Sequence, residues 1–308
     1  MAKEGKKKSG TSTRAWEAPA SQLLRVGSDF SIGSFDAAAT PGWSGAEKAA
    51  LKRMKDVGEE LSELQERLFA EGKHGGTRSV LLVLQGMDTA GKGGIVRHVV
   101  GMVDPQGVHH RSFGVPTEEE RSHHYLWRIR NALPKPGKIG VFDRSQYEDV
   151  LVVRVNRLVD GDPWPERFGE INDFEREVAE SGTVIVKCAM LVSPDEQLRR
   201  LEERLARLDK HWKYNPGDLD ERENWDAYMA AYEDAIRNTS TDWAPWHAIP
   251  ADNKWFARLA VSELLLEALQ GLELGWPAAD FDVAAEQSRI AAAKDAARRG
   301  VPSMRLQG

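Results

Sequence analysis

Residues 80–94 read VLLVLQGMDTAGKGG and decide the fold of this chain. The apolar run up to Gln85 has the character of a buried β-strand, and residues 93–103 suit a helix. Between them lies a glycine-bracketed loop that contains Lys92. A strand, a Gly-x-x-x-x-Gly-Lys loop and a helix together form a phosphate cradle, because the loop amides and the helix N-terminus present unpaired N–H groups to an anion. We therefore predict a phosphate-binding loop; an ordinary strand-to-helix turn is the alternative.

The composition of this loop departs from the usual pattern at two positions. Gly93 stands where such loops carry Ser or Thr for magnesium, and Asp88 places a carboxylate inside the cradle. That carboxylate is unfavourable unless a divalent cation or a nearby arginine compensates its charge. We predict that Asp88 is a metal ligand; alternatively, it stabilises the turn through its own backbone. The predicted phosphate-binding residues of the loop are Gly86, Ala90, Gly91, Gly93 and Gly94.

Length, charge and cysteine content exclude several classes of protein. The chain has 308 residues, of which 41% are hydrophobic, so it can bury a full core. No apolar run approaches the roughly 20 residues of a membrane span, and we expect a cytoplasmic protein without membrane contact. The net charge of −6 argues against a general nucleic-acid binder, so any polyanion site must be a local cluster of Lys and Arg. The single cysteine, Cys188, lies in an apolar run and predicts a buried thiol.

The order of elements predicts an α/β fold. Five segments have strand character, and helical patterns separate them. The strands are predicted at 80–85, 108–115, 139–143, 184–192 and 246–250, and the helices at 45–71, 93–103, 117–132, 145–159, 166–181, 195–208, 220–237 and 254–269. This alternation favours a parallel sheet with helices on both faces, in which ligands bind beyond the carboxyl ends of the strands. We expect Asp252 or Asn253 to cap the last core helix.

We divide the chain into three regions. Residues 1–44 form an N-terminal arm, disordered over its basic, Gly/Ser-rich first 14 residues. Residues 45–275 form the α/β domain. Residues 276–308 are Ala-rich and charged, and they form a C-terminal helical tail.

A second motif, IGVFDRS at residues 139–145, places Asp143 at the end of a predicted strand. In a protein with a phosphate loop, an aspartate there is expected to hold Mg²⁺, and Arg144 can contact phosphate oxygens with both guanidinium nitrogens. Alternatively, Asp143 and Arg144 form a structural ion pair. Glu148 either extends the metal site or lies on a solvated helix face.

A third feature is the basic stretch 198–214, in which Arg200, Arg204 and Arg207 share one helix face. The alternative is a salt-bridged surface helix, because acidic residues are interspersed. The polar segment that follows interrupts the α/β alternation, as a lid over phosphates would; we place this lid at about 205–224. A smaller basic set lies near the first two strand–helix connections: Arg97, Arg111, Arg121, Arg128 and Arg130.

Four motifs taken together resemble the family-2 polyphosphate kinases: GMDTAGKGG, PTEEERSHHYLWR, FDRSQYEDVLVVRV and TSTDWAPWHAIPADNKWFARLAV. The resemblance runs from about Phe35 to Leu269. It implies a three-layer P-loop kinase, related in fold to thymidylate kinase, with a five-stranded parallel sheet and a helical lid. It also implies Mg²⁺-dependent phosphoryl transfer between inorganic polyphosphate and a nucleoside mono- or diphosphate, AMP or ADP with GMP or GDP as a further option. A homo-oligomer, dimer or tetramer, is expected.

The resemblance also implies roles for particular residues. Asp88, Lys92, Asp143 and Arg144 would form the catalytic centre, with Asp88 and Asp143 as metal ligands, and Arg204 and Lys213 would bind phosphate from the lid. The related subgroup commonly has Asn at position 143 and often Asp at position 93, which leaves the choice between mono- and diphosphate acceptors open. Two rivals remain: an ATP-dependent nucleotide kinase, and a P-loop module that binds nucleotide without transfer.

Overall fold

A five-stranded sheet forms the centre of the computed structural model, which describes residues 16–299. The strands are β1 (Ser79–Gln85), β2 (Val108–Ser112), β3 (Ile139–Asp143), β4 (Thr183–Leu191) and β5 (Trp246–Pro250). Their order across the sheet is β2-β3-β1-β4-β5, and each neighbouring pair is parallel. The predicted parallel α/β sheet is confirmed. The second strand ends at Ser112, three residues before the predicted end, and Pro116 then follows without an amide donor.

Helices cover both faces of this sheet. In the described part of the chain the helices of this domain are α1 (Ala20–Leu23), α2 (Glu47–Lys73), α3 (Lys92–His98), α4 (Glu118–Ser122), α5 (Leu126–Arg130), α6 (Val152–Val155), α7 (Trp164–Glu180), α8 (Pro194–Ala206), α9 (Gly217–Arg222), α10 (Trp225–Thr239) and α11 (Lys254–Gln270); a further helix, α12 (Val283–Arg298), belongs to a separate unit. The side chains of β1 alternate between two cores. Val80, Leu82 and Leu84 pack with α2, α3 and α11, whereas Leu81 and Val83 pack with α5, α7 and α10. Because both faces are covered, β1 is an uninterrupted apolar run.

Two predicted helices are broken in the structure. The segment 117–132 divides into α4 and α5, since Thr117 and Glu120 close a short capping box and His123 then adopts an extended backbone. The predicted helix 145–159 is wrong: residues Gln146–Asp149 form a 3₁₀ turn, and only Val152–Val155 are α-helical.

The described part of the N-terminal arm covers the outer edge of β5. The Val26 amide donates to the Trp246 carbonyl, and the Ala248 amide donates to the Leu24 carbonyl, both at 2.9 Å. The Glu267 carboxylate accepts the first amides of α1. An edge paired in this way has fewer free backbone groups for aggregation. The predicted disorder of residues 1–14 falls outside the described residues.

The predicted cap of α11 is right in position, but the side chain of the N-cap residue makes no capping hydrogen bond. Asn253 occupies the N-cap position, but its side chain donates to the Ala38 carbonyl at 2.7 Å. Asp252 instead accepts the Ser193 amide at 2.8 Å. Both side chains therefore tie neighbouring loops to the start of α11.

Residues from Gly275 onward form a separate unit, in which α12 has no buried residue. The Asp282 side chain caps this helix by accepting the Ala285 amide at 3.0 Å. Across residues 16–299, no helix combines the length and apolar character that crossing a bilayer requires.

Candidate active site

A cleft of about 660 Å³ opens at the carboxyl ends of the strands and collects nearly all the predicted site residues. The loop after β1, the ends of β2 and β3, and residues from α8 and α11 line it. The predicted residues in its wall are Asp88, Ala90, Gly91, Lys92, Gly93, Gly94, Asp143, Arg144, Arg204 and Lys213. The sequence thus predicted which edge of the sheet carries the polar side chains, because the carboxyl ends of parallel strands meet at one edge.

Gly86 is the predicted residue that does not line this cleft. It has a φ of 159°, and a Cβ atom there would lie 2.5 Å from the Met190 carbonyl oxygen. The glycine therefore allows the start of the loop to pass close to β4. Its carbonyl oxygen accepts a hydrogen bond from Lys92 Nζ at 2.6 Å.

The loop backbone is shaped by two residues with positive φ before α3. Thr89 has a φ of 66° and Gly91 a φ of 111°, the latter at the N-cap of α3. Lys92 is buried, and its ammonium group also lies 3.3 Å from the Met87 carbonyl oxygen. This places a cation inside a turn whose next amides open toward the cleft.

Arg200 fixes this loop from α8. Its guanidinium donates to the Thr89 carbonyl at 2.9 Å and to the Asp252 carbonyl at 3.0 Å, while Nε donates to Glu196 at 2.7 Å. The side chain is buried. Arg200 therefore joins the loop to the start of α11, where it also lines the cleft.

The carboxylate of Asp88 is compensated by an arginine. Arg144 Nη2 lies 2.8 Å from Asp88 Oδ1, so the structural pair of Arg144 is Asp88 rather than Asp143. Burial raises the pKa of Asp88, but Lys92, Arg144 and Arg204 outweigh burial, and the pKa lies below its usual range. Asp88 is therefore ionised at neutral pH. Arg144 itself has a positive φ of 66° at the end of β3.

Glu148 lies inside the site and not on a solvated helix face. Its carboxylate accepts a hydrogen bond from Gln85 Nε2. Burial raises the pKa of Glu148, opposed by the positive charges of Arg144 and Lys92. The segment after β3 thus contributes a second carboxylate within electrostatic reach of Asp88.

A buried ion pair supports the segment that carries these groups. Lys187 Nζ lies 2.5 Å from Glu175 Oε2, and both side chains are at most 1% exposed. The other oxygen of Glu175 accepts hydrogen bonds from Gln146 Nε2 at 2.9 Å and from the Tyr147 hydroxyl at 2.8 Å. Since Gln146 and Tyr147 immediately precede Glu148, the network ties the segment after β3 to α7 and β4.

The predicted basic helix face divides into three environments. Arg200 is buried, Arg204 lies in the cleft and pairs with Asp218 at 2.9 Å, and Arg207 is exposed and pairs with Asp209 at 2.8 Å. The surface-helix alternative is therefore right for Arg207 and wrong for Arg200.

Three residues of the predicted lid segment line the cleft, namely Lys210, Trp212 and Lys213, and Lys213 Nζ lies 4.9 Å from the centre of the Trp212 ring. The segment predicted to be a lid contains a 3₁₀ turn at Leu208–Lys213 and the short helix α9.

Two cleft residues, Lys254 and Arg258, were not predicted. They lie four residues apart at the start of α11, on one face of the helix. The signal was available, because two basic residues at this spacing directly follow the last strand, whose carboxyl end meets the site.

A second cavity of about 450 Å³ adjoins the cleft across a shared wall. Arg128 lines this cavity and donates to the Gly114 carbonyl, which lines the cleft, at 2.9 Å. Tyr125 and His123 supply rings to the lining, and Asp149 places a buried Oδ2 without a hydrogen bond. This cavity lies beside the cleft at the phosphate loop, and its lining is more aromatic than the lining of that cleft.

The carboxylates fit a magnesium ion held partly by substrate. Mg²⁺ is usually bound by one or two carboxylates together with phosphate oxygens, and Asp88 and Asp143 lie in the same cleft. No group of three or more metal-binding side chains occurs among residues 16–299. A site completed by the phosphates of the substrate is consistent with both facts.

The fold and this cleft define an α/β protein whose ligands bind at the carboxyl edge of a parallel sheet. A family model described as polyphosphate kinase 2 matches residues 45–274. The chain therefore belongs to the polyphosphate kinase 2 family.

Curated relatives and a solved structure agree with this membership. An AMP/ADP-polyphosphate phosphotransferase of Meiothermus ruber is 46% identical over 248 residues, 80% of this chain and 91% of the relative. An ADP-polyphosphate phosphotransferase of Rhodopseudomonas palustris is 41% identical over 231 residues, 71% of this chain and 78% of the relative. The crystal structure of polyphosphate kinase 2 from Arthrobacter aurescens TC1 has a TM-score of 0.88 at 52% identity and covers 90% of this chain and 98% of that one.

Proposed function

We propose that this protein transfers phosphoryl groups between inorganic polyphosphate and AMP or ADP, and so makes ADP or ATP. The observation that carries the proposal is the Asp88–Arg144 pair, which joins the loop after β1 to the end of β3 in a cleft that also holds Lys92 and Asp143. The named activities of the family relatives support the same reaction. GMP and GDP are further candidate acceptors.

The chemistry requires positioning and charge neutralisation more than acid–base catalysis. Phosphoryl transfer passes through a loose, in-line transition state, with charge spread over the oxygens of the transferred group. The acceptor is a phosphate oxygen that is already ionised near neutral pH, so no strong general base is needed. In our proposal Lys92 and the loop amides hold the transferring group, and Arg144 stabilises its charge.

Asp88 and Asp143 are the proposed ligands of Mg²⁺. When bound, the ion would neutralise charge on the phosphate oxygens and align donor with acceptor. The pairing of Asp88 with Arg144 keeps the carboxylate ionised, which is the form that binds a metal.

We place the nucleoside of the acceptor in the second cavity. Its volume and its aromatic lining suit a base and ribose, and the buried Asp149 Oδ2, which lies 3.7 Å from Arg128 Nη2 and has no hydrogen bond, can accept one from a base amino group. Because Gly114 lines the cleft beside Arg144 and is bonded to Arg128 of this cavity, the phosphates of such a nucleotide would extend past Gly114 toward Arg144.

The proposal is tested by supplying polyphosphate as the sole phosphoryl donor. The purified protein is incubated with Mg²⁺, long-chain polyphosphate and, separately, AMP, ADP, GMP or GDP, with no ATP present. A more phosphorylated nucleotide supports the proposal and identifies the acceptor. Transfer only after ATP is added would instead identify an ATP-dependent nucleotide kinase, and nucleotide binding without transfer under either condition would identify a binding module.

The assignment of the site is tested by Lys92→Ala and Asp143→Ala. Each should abolish transfer, because one removes the cation of the loop and the other a metal ligand. Thermal unfolding of both variants should stay close to that of the parent protein. Retained turnover in either variant would contradict the assignment. A cytoplasmic location and a homo-oligomeric state stay predictions of the sequence.

A further inference from the structure

The cations around the cleft differ in whether a carboxylate partners them. On the lid side Arg204 pairs with Asp218 at 2.9 Å. On the opposite side, α3 and α11 bring together Arg97, His98 and Arg258. Within residues 16–299, these three side chains form no ion pair and no hydrogen bond, although Arg258 lines the cleft. Within the described residues, Lys213 on the lid also lines the cleft without an ion pair, so the lid keeps one such cation, whereas the α3–α11 side has two arginines.

The two arginines continue outward from the phosphate loop. Arg258 Nη2 lies 3.9 Å from the position that a Cβ atom at Gly94 would occupy, so its guanidinium lies directly above the loop. Arg97 is exposed and follows Gly93 by four residues, which places it about 6 Å further along α3 on the same face. A chain of anions leaving the loop in this direction would meet Arg258 and then Arg97.

The electrostatics of this side agree with its geometry. Burial lowers the pKa of Arg258, and the positive charges of Arg200 and Arg97 lower it further, with Glu47 acting in the opposite direction. Burial also lowers the pKa of His98, and Arg258 and Arg97 add to the effect. Gathered cations of this kind are unfavourable alone and become favourable when an anion binds.

We infer that Arg97 and Arg258 form a subsite for the part of the polyphosphate chain that extends beyond the phosphates held at the loop. This inference rests on the proposed function and states on which side of the phosphate-binding loop the polyphosphate donor extends. Every unit of polyphosphate carries an ionised oxygen, so successive units can pair with successive guanidinium groups. The lid was the expected track for the chain, but carboxylates pair with Arg204, Arg207 and Lys210 there, and among the described residues this leaves Lys213 as the unpaired lid cation in the cleft.

The subsite predicts a preference for long polyphosphate chains over short ones. Tripolyphosphate is short enough to be held mainly at the loop, whereas a long chain reaches Arg97. The subsite should therefore lower the KM for long-chain polyphosphate relative to tripolyphosphate.

The test compares Arg97→Gln and Arg258→Gln with Arg176→Gln as the matched control. Arg176 is also an arginine of a surface helix, but it lies on α7 on the opposite face of the sheet and pairs with Asp173. The KM values for long-chain polyphosphate and for tripolyphosphate are measured at a saturating nucleotide concentration. Arg258→Lys, which keeps the charge, controls for loss of packing, and thermal unfolding is recorded for each variant.

Arg97→Gln and Arg258→Gln should each raise the KM for long-chain polyphosphate about two- to fivefold, the usual effect of removing one partly exposed charged contact. The KM for tripolyphosphate should rise less, and Arg258→Lys should recover part of the loss. The inference is overturned if both variants keep the chain-length preference of Arg176→Gln. If the parent protein transfers no phosphoryl group from polyphosphate of any length, the proposed function fails and the subsite fails with it.

Discussion

Replacing Lys187 by Met should destabilise the protein strongly, because it leaves the carboxylate of Glu175 buried without its partner. Lys187 Nζ donates to Glu175, to the Tyr147 hydroxyl at 2.8 Å and to the Thr239 carbonyl at 2.7 Å, in a region at most 1% exposed. Removing one partner of a buried ion pair costs about 3–5 kcal/mol. For a domain of this size that corresponds to a fall in melting temperature of roughly 10 °C.

The pH dependence of this loss has a definite sign. Burial already raises the pKa of Glu175, and Lys187 is the group that opposes the rise. Without Lys187, the carboxyl group of the folded protein binds its proton more tightly than that of the unfolded chain. The stability lost in Lys187→Met is therefore small below the pKa that Glu175 has in the unfolded chain. It grows as the pH rises toward the higher pKa that Glu175 has in the folded protein. Lys187→Met should lose less stability at pH 5 than at pH 8.

The assay is chemical denaturation of four proteins at both pH values: the parent, Lys187→Met, the double variant Lys187→Met/Glu175→Gln, and Lys135→Met. The double variant removes the buried charge but keeps an acceptor for Gln146 and Tyr147, so it should recover about half of the loss. Lys135 is exposed, and its variant should stay within about 0.5 kcal/mol of the parent. A double variant no more stable than the single one, with equal losses at both pH values, would refute this reasoning.

Two further predictions concern the loop and the segment after β3. Gly86→Ala should reduce the rate of phosphoryl transfer at least about tenfold, because the new Cβ would lie 2.5 Å from the Met190 carbonyl oxygen and the loop must move. Steady-state kinetics check this prediction, and a rate equal to that of the parent would contradict it. Glu148→Gln should become more stable relative to the parent as the pH rises from about 4.5 to 8, because burial raises the pKa of Glu148 and its ionisation destabilises the folded state. Melting temperatures across that range check this second prediction, and a difference that is constant with pH would contradict it.

The sheet was predictable because its signals are local. Except for the polar β2, each strand is a short, largely apolar run, and β1 passes directly into a loop whose glycines and lysine have a known geometry. Since the fold is parallel, placing the strands also placed their carboxyl ends, and with them Asp88, Lys92, Asp143 and Arg144.

The broken helix at 145–159 could not be predicted in the same way. Its first residues follow an apolar pattern that suits a helix, but Gln146 and Tyr147 donate hydrogen bonds to Glu175, which belongs to the next long helix, α7. Tertiary contacts of this kind override local propensity. The sequence carries no local mark of them.

The partner of Asp88 could be predicted only in part from the sequence. A carboxylate in a phosphate loop needs either a divalent cation or a nearby arginine to compensate its charge, and the sequence did not decide between the two. The structure supplies Arg144, which is 56 residues away. For Arg258 the sequence carried a signal for the edge of the sheet, but its place near Gly94 depends on the packing of α11 against α3.

The most direct measurement of the central claim is a phosphorus NMR time course of the parent protein with Mg²⁺, polyphosphate and the preferred nucleotide acceptor. We predict that each phosphoryl group lost from polyphosphate appears on a nucleotide, without accumulation of orthophosphate, and that Lys92→Ala shows neither change. Release of orthophosphate without nucleotide phosphorylation, or transfer that persists in Lys92→Ala, would contradict the account.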